Sequence, residues 1–349
     1  MNQKPRSILL IGNFLSSSLG TRSVSEDLCL RLLASGWQVI YASRRANRLL
    51  RLLDMLWVTW RFRRQYQVAQ LDVFSGLAFV WAYLDTVLLK KLNKPLVLTL
   101  HGGNLPDFSL RHPGWVRGLL NKADAVTVPS EYLLDAMQPY RNDLTLIPNA
   151  VDIRQYAYIP RVTPRAILIW LRAFHKIYNP ELAIRVLQKV QEEFPEIRLI
   201  MIGPDKEDGS FQNTQKLVSQ LGLQDMVVFP GRVAKSQVSE WLNKGDIFIN
   251  TTNVDNTPIS VTEAMACGLC IISTEVGGIP WLLEHETNAL LVPPDDPDAM
   301  AAAVQRILTE PGLAQRLAAN ARQKAQSFDW AAVLPMWEEL FQQMLAEAN

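Results

Sequence analysis

The chain has 349 residues, with 35 Lys+Arg against 34 Asp+Glu, 48% hydrophobic and 20% charged residues. One hydrophobic core rarely grows past ~250 residues, so this length points to two domains of soluble globular composition, each able to fold without disulfides or structural metal. Three cysteines, Cys29, Cys267 and Cys270, exclude a disulfide framework and point to a reducing compartment. The near-neutral total hides an asymmetry: the first 154 residues carry 19 Lys+Arg against 11 Asp+Glu, the remainder 16 against 23. A basic half joined to an acidic half indicates a directed surface. No aromatic–basic interleaving or binding motif speaks for nucleic acid, so anionic lipid headgroups are the better partner. No signal peptide is expected, because residues 1–7 lead directly into the first strand.

Residues 7–12 (S-I-L-L-I-G) read as a buried parallel strand. A Ser/Gly-rich loop follows over 13–20, then an amphipathic helix over 21–34 with Val24, Leu28, Leu32 and Leu33 on one side. Gly36 stops it, and residues 38–42 return as a second strand. This succession opens a Rossmann-like unit, although Gly12 and Gly20 do not form G-x-G-x-x-G. Gly20 fits a tight turn or a place beside a ligand equally well. Residues 44–67 are unusual. Leu49, Leu52, Leu53, Leu56 and Trp60 form a helical stripe, broadened by Leu50 and Trp57, among Arg44, Arg45, Arg48, Arg51, Arg61, Arg63 and Arg64. Arginines flanking a Leu/Trp-rich helix fit a segment lying in a membrane interface; a helix packed on its own domain with solvated arginines is the plainer alternative. The run is too interrupted to span, which takes ~20 apolar residues.

Residues 71–76 read as a strand and turn, and 77–92 as a mostly apolar helix in which Asp85 and the closing lysines argue against a span. A strand over 95–100 feeds His101-Gly102-Gly103-Asn104, where the glycines let a ligand approach the backbone. Residues 123–129 form another strand, Ser130 caps a helix over 131–137, and 155–165, with Pro160 and Pro164, reads as a linker. The second half opens with a buried strand over 166–171 ending at Arg172. A helix (181–194), a strand (198–203), a polar loop (204–210), a strand (227–231), a short helix (238–243) and a strand (246–250) follow. After the central stretch come a short strand (290–293), a helix (297–309) and a terminal helix (328–348).

The central stretch runs from Asn253 to Pro280, N-V-D-N-T-P-I-S-V-T-E-A-M-A-C-G-L-C-I-I-S-T-E-V-G-G-I-P. Two acids, Asp255 and Glu263, have seven residues between them. Thr262 and Glu263 read as the first helical residues, Gly268 as the stop, and 269–273 as a strand buried on both faces. Gly277-Gly278 with Pro280 makes a turn at the carboxyl end of that strand, where ligands sit in open α/β sheets. A helix amino end offers unpaired N–H groups to phosphate, and an acid just inside it can hold ribose hydroxyls, an arrangement that suits a sugar nucleotide. An exposed loop before an ordinary core helix is the bland alternative for two acids at this spacing alone. Cys267-Gly-Leu-Cys270 has redox spacing but lies between a helix end and a strand start, where nothing acidifies a thiol, so it reads as core.

The run D-N-T-P-I-S-V-T-E-A-M-A-C-G resembles the acid–seven–acid motif of glycosyltransferase family 4, retaining enzymes of the GT-B fold. The resemblance implies Asp255 on the donor sugar, Glu263 on the ribose, and the amides of Ile259, Ser260 and Val261 near the diphosphate; Pro258 has no N–H to offer. The family usually places Glu where Asp255 stands, and a glycine–aromatic pair where this chain has Asn256-Thr257. Ile147 to Asp152 (I-P-N-A-V-D) resembles the family segment that closes the first domain. A strand-end His in the place of His101 reaches the donor sugar and scissile bond in the family, with Gly102 and Gly103 beside it, and the loop holding Gly20 lines the acceptor side. Arg172 and Lys176 correspond to the family's Arg and Lys on the diphosphate, here four rather than five apart, with His175 a rival. A fixed fork and a mobile point charge would stabilise the leaving group. Gly231 and Arg232 match the segment beside the nucleotide base.

The fold expected is therefore α/β of GT-B type: two Rossmann-like domains facing across a cleft, with the C-terminal helix crossing back to the first domain. Residues 1–158 would form the acceptor-side domain, 159–328 the donor domain and 329–349 the returning helix. The expected activity is retaining, metal-independent transfer from a nucleoside-diphosphate sugar, with no cofactor beyond that substrate. The acceptor would be a glycan or lipid-linked glycan of cell-envelope polysaccharide or glycolipid synthesis. A cytoplasmic location is expected, peripheral at the cytoplasmic membrane face through 44–67. A nucleotide-sugar epimerase of the same fold and a catalytically weak nucleotide-sugar-binding subunit are the alternatives.

Overall fold

The computed structural model describes residues 6–15, 23–45, 47–102 and 104–347; Gly20 and Gly103 lie outside the described residues. The chain divides into two compact units, Met1–Ala150 with Ala331–Asn349, and Val151–Trp330.

In the first unit the described strands are β1 (Ser7–Ile11), β2 (Gln38–Ala42), β3 (Val68–Val73), β4 (Leu96–Leu100), β5 (Ala125–Val128) and β6 (Leu144–Leu146). They form one parallel sheet in the order β2-β1-β3-β4-β5-β6. β1, β3 and β4 are buried along their whole length. Helices cover parallel sheets on both faces, which is why these strands read as apolar runs rather than alternations. After β2 the chain steps back across β1 to β3, so the sheet switches direction between β1 and β3. Helix α1 (Val24–Ala34) starts in a capping box: Ser23 Oγ accepts from the Glu26 amide at 3.2 Å, and Glu26 Oε2 accepts from the Ser23 amide at 2.8 Å. Helix α2 (Arg48–Arg61) is capped by Asn47, whose Oδ1 accepts from the amides of Leu49 and Leu50. It buries Met55, Val58 and Thr59 and packs on α3 (Leu77–Lys91). Much of the predicted Leu/Trp stripe faces outward: Leu49 is 74% exposed, Leu53 62% and Trp60 50%, beside exposed Leu50 and Trp57. Among the described residues no helix is long and apolar enough to cross a membrane. Short helices α4 (Leu105–Arg111), α5 (Pro113–Leu120) and α6 (Glu131–Met137) complete the cover.

The second unit repeats the plan. Its described strands are β7 (Ile167–Leu171), β8 (Arg198–Ile202), β9 (Val227–Gly231), β10 (Ile247–Asn250), β11 (Cys270–Thr274) and β12 (Leu290–Val292), all parallel in the order β12-β11-β10-β7-β8-β9. The switch falls between β7 and β10. Helices α7 (Pro180–Val190), α8 (Ser210–Gln220), α9 (Val238–Leu242), α10 (Ile259–Cys267), α11 (Ile279–Leu282), α12 (Pro297–Thr309) and α13 (Leu313–Ala325) flank the sheet. The segment read as a linker, 155–165, is built into this unit: Tyr156 is buried in its core, and buried Arg161 pairs with Asp246 at 2.8 Å. Burial pushes the Cys267 and Cys270 thiols up to about 11 and about 12, in keeping with a core role. The last helix, α14 (Trp330–Glu347), returns the chain to the first unit from Ala331 onward. There Trp37 Nε1 donates to Glu338 Oε1 at 3.1 Å and the Trp37 ring meets Phe341 edge-on at 5.8 Å.

Candidate active site

Each sheet presents a cluster of polar side chains at the carboxyl edge of its switch point, the position where open α/β sheets bind ligands. In the second unit, Arg172 leaves the end of β7 and Asp255 follows β10. The guanidinium pairs through Nη2 with Asp255 Oδ2 and reaches Ser260 Oγ from Nη1 at 3.5 Å. It lies 4.0 Å above the Tyr178 ring. Tyr178 is positioned by a relay: Trp170 Nε1 donates to Thr251 Oγ1 at 2.8 Å, and Thr251 Oγ1 donates to the Tyr178 carbonyl at 2.7 Å. Burial pulls the Arg172 guanidinium below the usual arginine range, with Tyr178 and Glu263 opposing. Its Nε has no hydrogen-bond partner among the described residues. Such orphaned donors call for an explanation, and an anionic ligand supplies one.

Helix α10 begins at Ile259, three residues before the predicted start at Thr262. Pro258 sits at its N-cap, where its fixed φ and missing N–H do no harm. The predicted anion-binding amides thus form the first helical turn. Those of Ile259 and Ser260 carry no hydrogen bond among the described residues. That of Val261 donates to the Pro258 carbonyl at 3.1 Å. The Gly-Gly turn packs against the acid loop: the Gly278 amide donates to the Asp255 carbonyl at 2.9 Å, and a Cβ at Gly277 or Gly278 would overlap the carbonyl of Asp255 or Asn256.

Glu263, on the next turn of α10, is buried. It accepts from Tyr156 Oη at 2.8 Å and from Lys235 Nζ. Lys176 is exposed in a single turn of 3₁₀ helix shared with Tyr178. Its amide donates to Asp208 Oδ2 at 2.9 Å, so backbone contacts fix the turn and leave the ammonium projecting. Gly231 closes β9, its carbonyl accepting from the Gly203 amide at 3.0 Å; Arg232 follows it, exposed. The structure thus joins Arg172, Asp255 and Ser260, and gives Glu263 two partners, Tyr156 and Lys235, that sequence reasoning missed. Tyr178 was missed too. The Y-N-P run before α7 was its only trace in the sequence.

In the first unit, His101 follows β4, its amide donating to the Val73 carbonyl at 2.8 Å. Its Nε2 lies 3.1 Å from Asp72 Oδ1, and its ring stacks on Phe74 at 5.1 Å. With Nε2–H given to the carboxylate, Nδ1 remains to meet a ligand. Asp72 was missed: it sits in β3, where a carboxylate within an apolar strand was the available signal. It also accepts from Gln70 Nε2 at 2.8 Å and from Ser25 Oγ. Burial pushes its carboxyl up, but His101, Ser25 and Gln70 together outweigh this and hold it below the usual carboxylate range. Gly12 makes room, since a Cβ there would overlap Asp72 Oδ2.

Two Rossmann-like α/β units, each with a polar cluster at its switch point, make this a protein of GT-B architecture. Residues 20–155 match the family described as Glycosyltransferase Family 4 and residues 159–324 that described as Glycosyl transferases group 1; the chain belongs to this glycosyltransferase family. It is 25% identical over 157 residues to a D-inositol 3-phosphate glycosyltransferase of Streptomyces bingchenggensis, a match covering 43% of this chain and 34% of that protein. The chain thus matches about a third of that relative's length. Among solved structures it is similar to sucrose-phosphate synthase from Thermosynechococcus elongatus, with a TM-score of 0.78, 19% identity, and coverage of 98% of this chain and 100% of the other. It is also similar to Anabaena Alr3699/HepE in complex with UDP, with a TM-score of 0.76, 17% identity, and coverage of 97% and 100%. At these identities the structural likeness shows the fold.

Proposed function

We propose that the chain is a retaining glycosyltransferase that moves a sugar from a nucleoside-diphosphate sugar to a glycan or lipid-linked glycan acceptor. The observation that carries this reading is the cluster at the β7/β10 switch point: Arg172 paired with Asp255, unbonded amides at Ile259 and Ser260, and buried Glu263 one turn on. In this reading the diphosphate lies on the first turn of α10 and on Arg172, with Lys176 as a mobile second cation. Glu263 takes the ribose hydroxyls, Asp255 the sugar, and Gly231 and Arg232 flank the base. HepE has been solved with UDP and with UDP-glucose, which supports a UDP-sugar as the first donor to try.

The bond from the anomeric carbon to the diphosphate oxygen breaks as the acceptor oxygen bonds to the same face, and the acceptor's proton passes to the departing phosphate. Arg172 and Lys176 stabilise the charge that develops there. On the first unit, His101 keeps Nδ1 open for a substrate hydroxyl, and Asp72 holds the ring in that tautomer. Metal-independent chemistry is supported by the site's own cations, Arg172 and Lys176, which can take the charge of the departing phosphate. Contact with an anionic membrane through 44–67, at the cytoplasmic face, is supported by the outward Leu/Trp face of α2 and its flanking arginines.

The test is thermal unfolding with UDP-, GDP-, ADP- and dTDP-sugars, with and without EDTA. One nucleotide is expected to raise the midpoint, indifferent to EDTA, and to lose its effect in Glu263→Ala. At 100 times Kd the stabilisation would be ~2.7 kcal/mol. No shift with any nucleotide would overturn the reading.

A further inference from the structure

At the carboxyl edge of the first sheet, where β1 and β3 part, lies a cavity of about 510 Å³ lined by Gly12, Asn13, Arg48, Arg51, Phe74 and Trp81, among others. That is the volume of a small-molecule site. Its walls differ in chemistry. Phe74 and Trp81 present rings, whereas Arg48 and Arg51, one turn apart on α2, present two guanidiniums. Among the described residues neither guanidinium pairs with a carboxylate. Arg51 donates from Nε to the Arg45 carbonyl and from Nη1 to Asn13 Oδ1, both at 2.9 Å and both neutral acceptors. Its Nη2 is uncommitted among the described residues. Asp72 also borders the cavity, but Ser25, Gln70 and His101 already occupy its oxygens. Burial first, and the neighbouring charge of Arg48 second, pull the Arg51 guanidinium below the usual arginine range. Two like charges are thus held together without a counterion, a configuration that an anion relieves.

We propose that this cavity takes the phosphoryl group of a phosphorylated acceptor, held between Arg48 and Arg51, with the rest of the acceptor against Phe74 and Trp81. The inference rests on the reading of the first unit as the acceptor side. A phosphoryl group fits better than a carboxylate, because two planar forks offer more N–H donors than two carboxylate oxygens accept in line. The fixed Nε and Nη1 of Arg51 orient its remaining donor, and Arg48, exposed at the rim, closes on the anion without a rigid partner of its own.

Calorimetric titration of the full chain with glycerol 3-phosphate and with monomeric dihexanoyl phosphatidic acid tests this. Saturable binding is expected, weakened at least tenfold in Arg48→Gln and again in Arg48→Gln/Arg51→Gln, and unchanged in Lys176→Gln. Arg48 is exposed, so its single variant keeps the fold if Arg51→Gln does not. Equal affinity for both probes would indicate a soluble phosphate ester; tenfold tighter binding of the lipid would indicate a lipid headgroup; either supports the proposal. Absence of saturable binding with both probes, or binding that survives in the double variant, overturns it. The arginine variants should keep the nucleotide-dependent thermal shift. In the wild-type chain, no phosphate binding beside a clear nucleotide-dependent shift overturns the cavity assignment alone, and phosphate binding without that shift overturns the donor reading alone.

Discussion

On the buried side of α3, the Asp85 carboxyl is pushed up to about 8 by burial, with only the Thr59 hydroxyl opposing at 3.4 Å. Its second oxygen has no partner among the described residues. Because this folded value lies above the unfolded one of 3.8, the native chain keeps a proton that the unfolded chain releases. Stability therefore falls as pH rises from about 4 to about 8, and the group contributes no further slope above that. Denaturant titrations at pH 5 and pH 8.5 should show wild type losing ~1.4 kcal/mol or more, the worth of one pKa unit. Asp85→Asn should remove that loss. An unchanged slope in the variant would mean that Asp85 is already ionised in the fold. Asp72 works in the opposite sense: held below its ordinary range, it contributes stability above about pH 4 that is lost on acidification. Two buried aspartates in one unit thus carry opposite pH signatures because one has a histidine and the other only a hydroxyl.

Helix α2 is the element whose surface chemistry departs furthest from that of an ordinary amphipathic helix. Its exposed side carries Leu49, Leu50, Leu53, Trp57 and Trp60. Vesicles with anionic headgroups should bind the protein, less so at high salt, and less so in Trp57→Ser/Trp60→Ser or Arg44→Glu/Arg45→Glu. The thermal midpoint should stay put, since exposed changes usually alter stability by less than ~0.5 kcal/mol. Binding indifferent to all of these changes would separate α2 from any membrane role. The strands were legible because both faces are buried, so that S-I-L-L-I and L-V-L-T-L announce themselves. Several helices were not. α8 buries Ser210, Thr214 and Val218, and so lacks an apolar stripe. α13 turns mostly alanines, Ala314, Ala318, Ala321 and Ala325, toward the core. α4 and α5 are short and separated by His112, with prolines in their first turns. At the site, Asp255, Glu263 and Arg172 could be found by spacing within one stretch or by strand ends. Lys235 and Tyr156 could not, because the fold brings them to Glu263 across 28 and 107 residues; Tyr178 lies close to Arg172 in sequence, but no motif marks it as the ring beneath the guanidinium.

The whole molecule is two sheets of one plan, but only one unit is continuous in sequence. Val151–Trp330 is a single run, whereas the other unit takes its last helix from Ala331 onward. Truncation after Trp330 should strip Trp37 of Glu338 and Phe341. Hydrogen exchange would then rise across β1 to β6 and stay near wild type across β7 to β12. Equal loosening of both units would show that α14 acts through the second unit as well. The position of this helix also bears on biogenesis. Chains generally fold as they emerge, amino-terminal domain first. Here the unit that emerges first waits for a helix made after the second unit, while the second can complete itself beforehand. During that interval Trp37 and its surroundings lie uncovered on the nascent chain, and they are where a chaperone would be expected to bind.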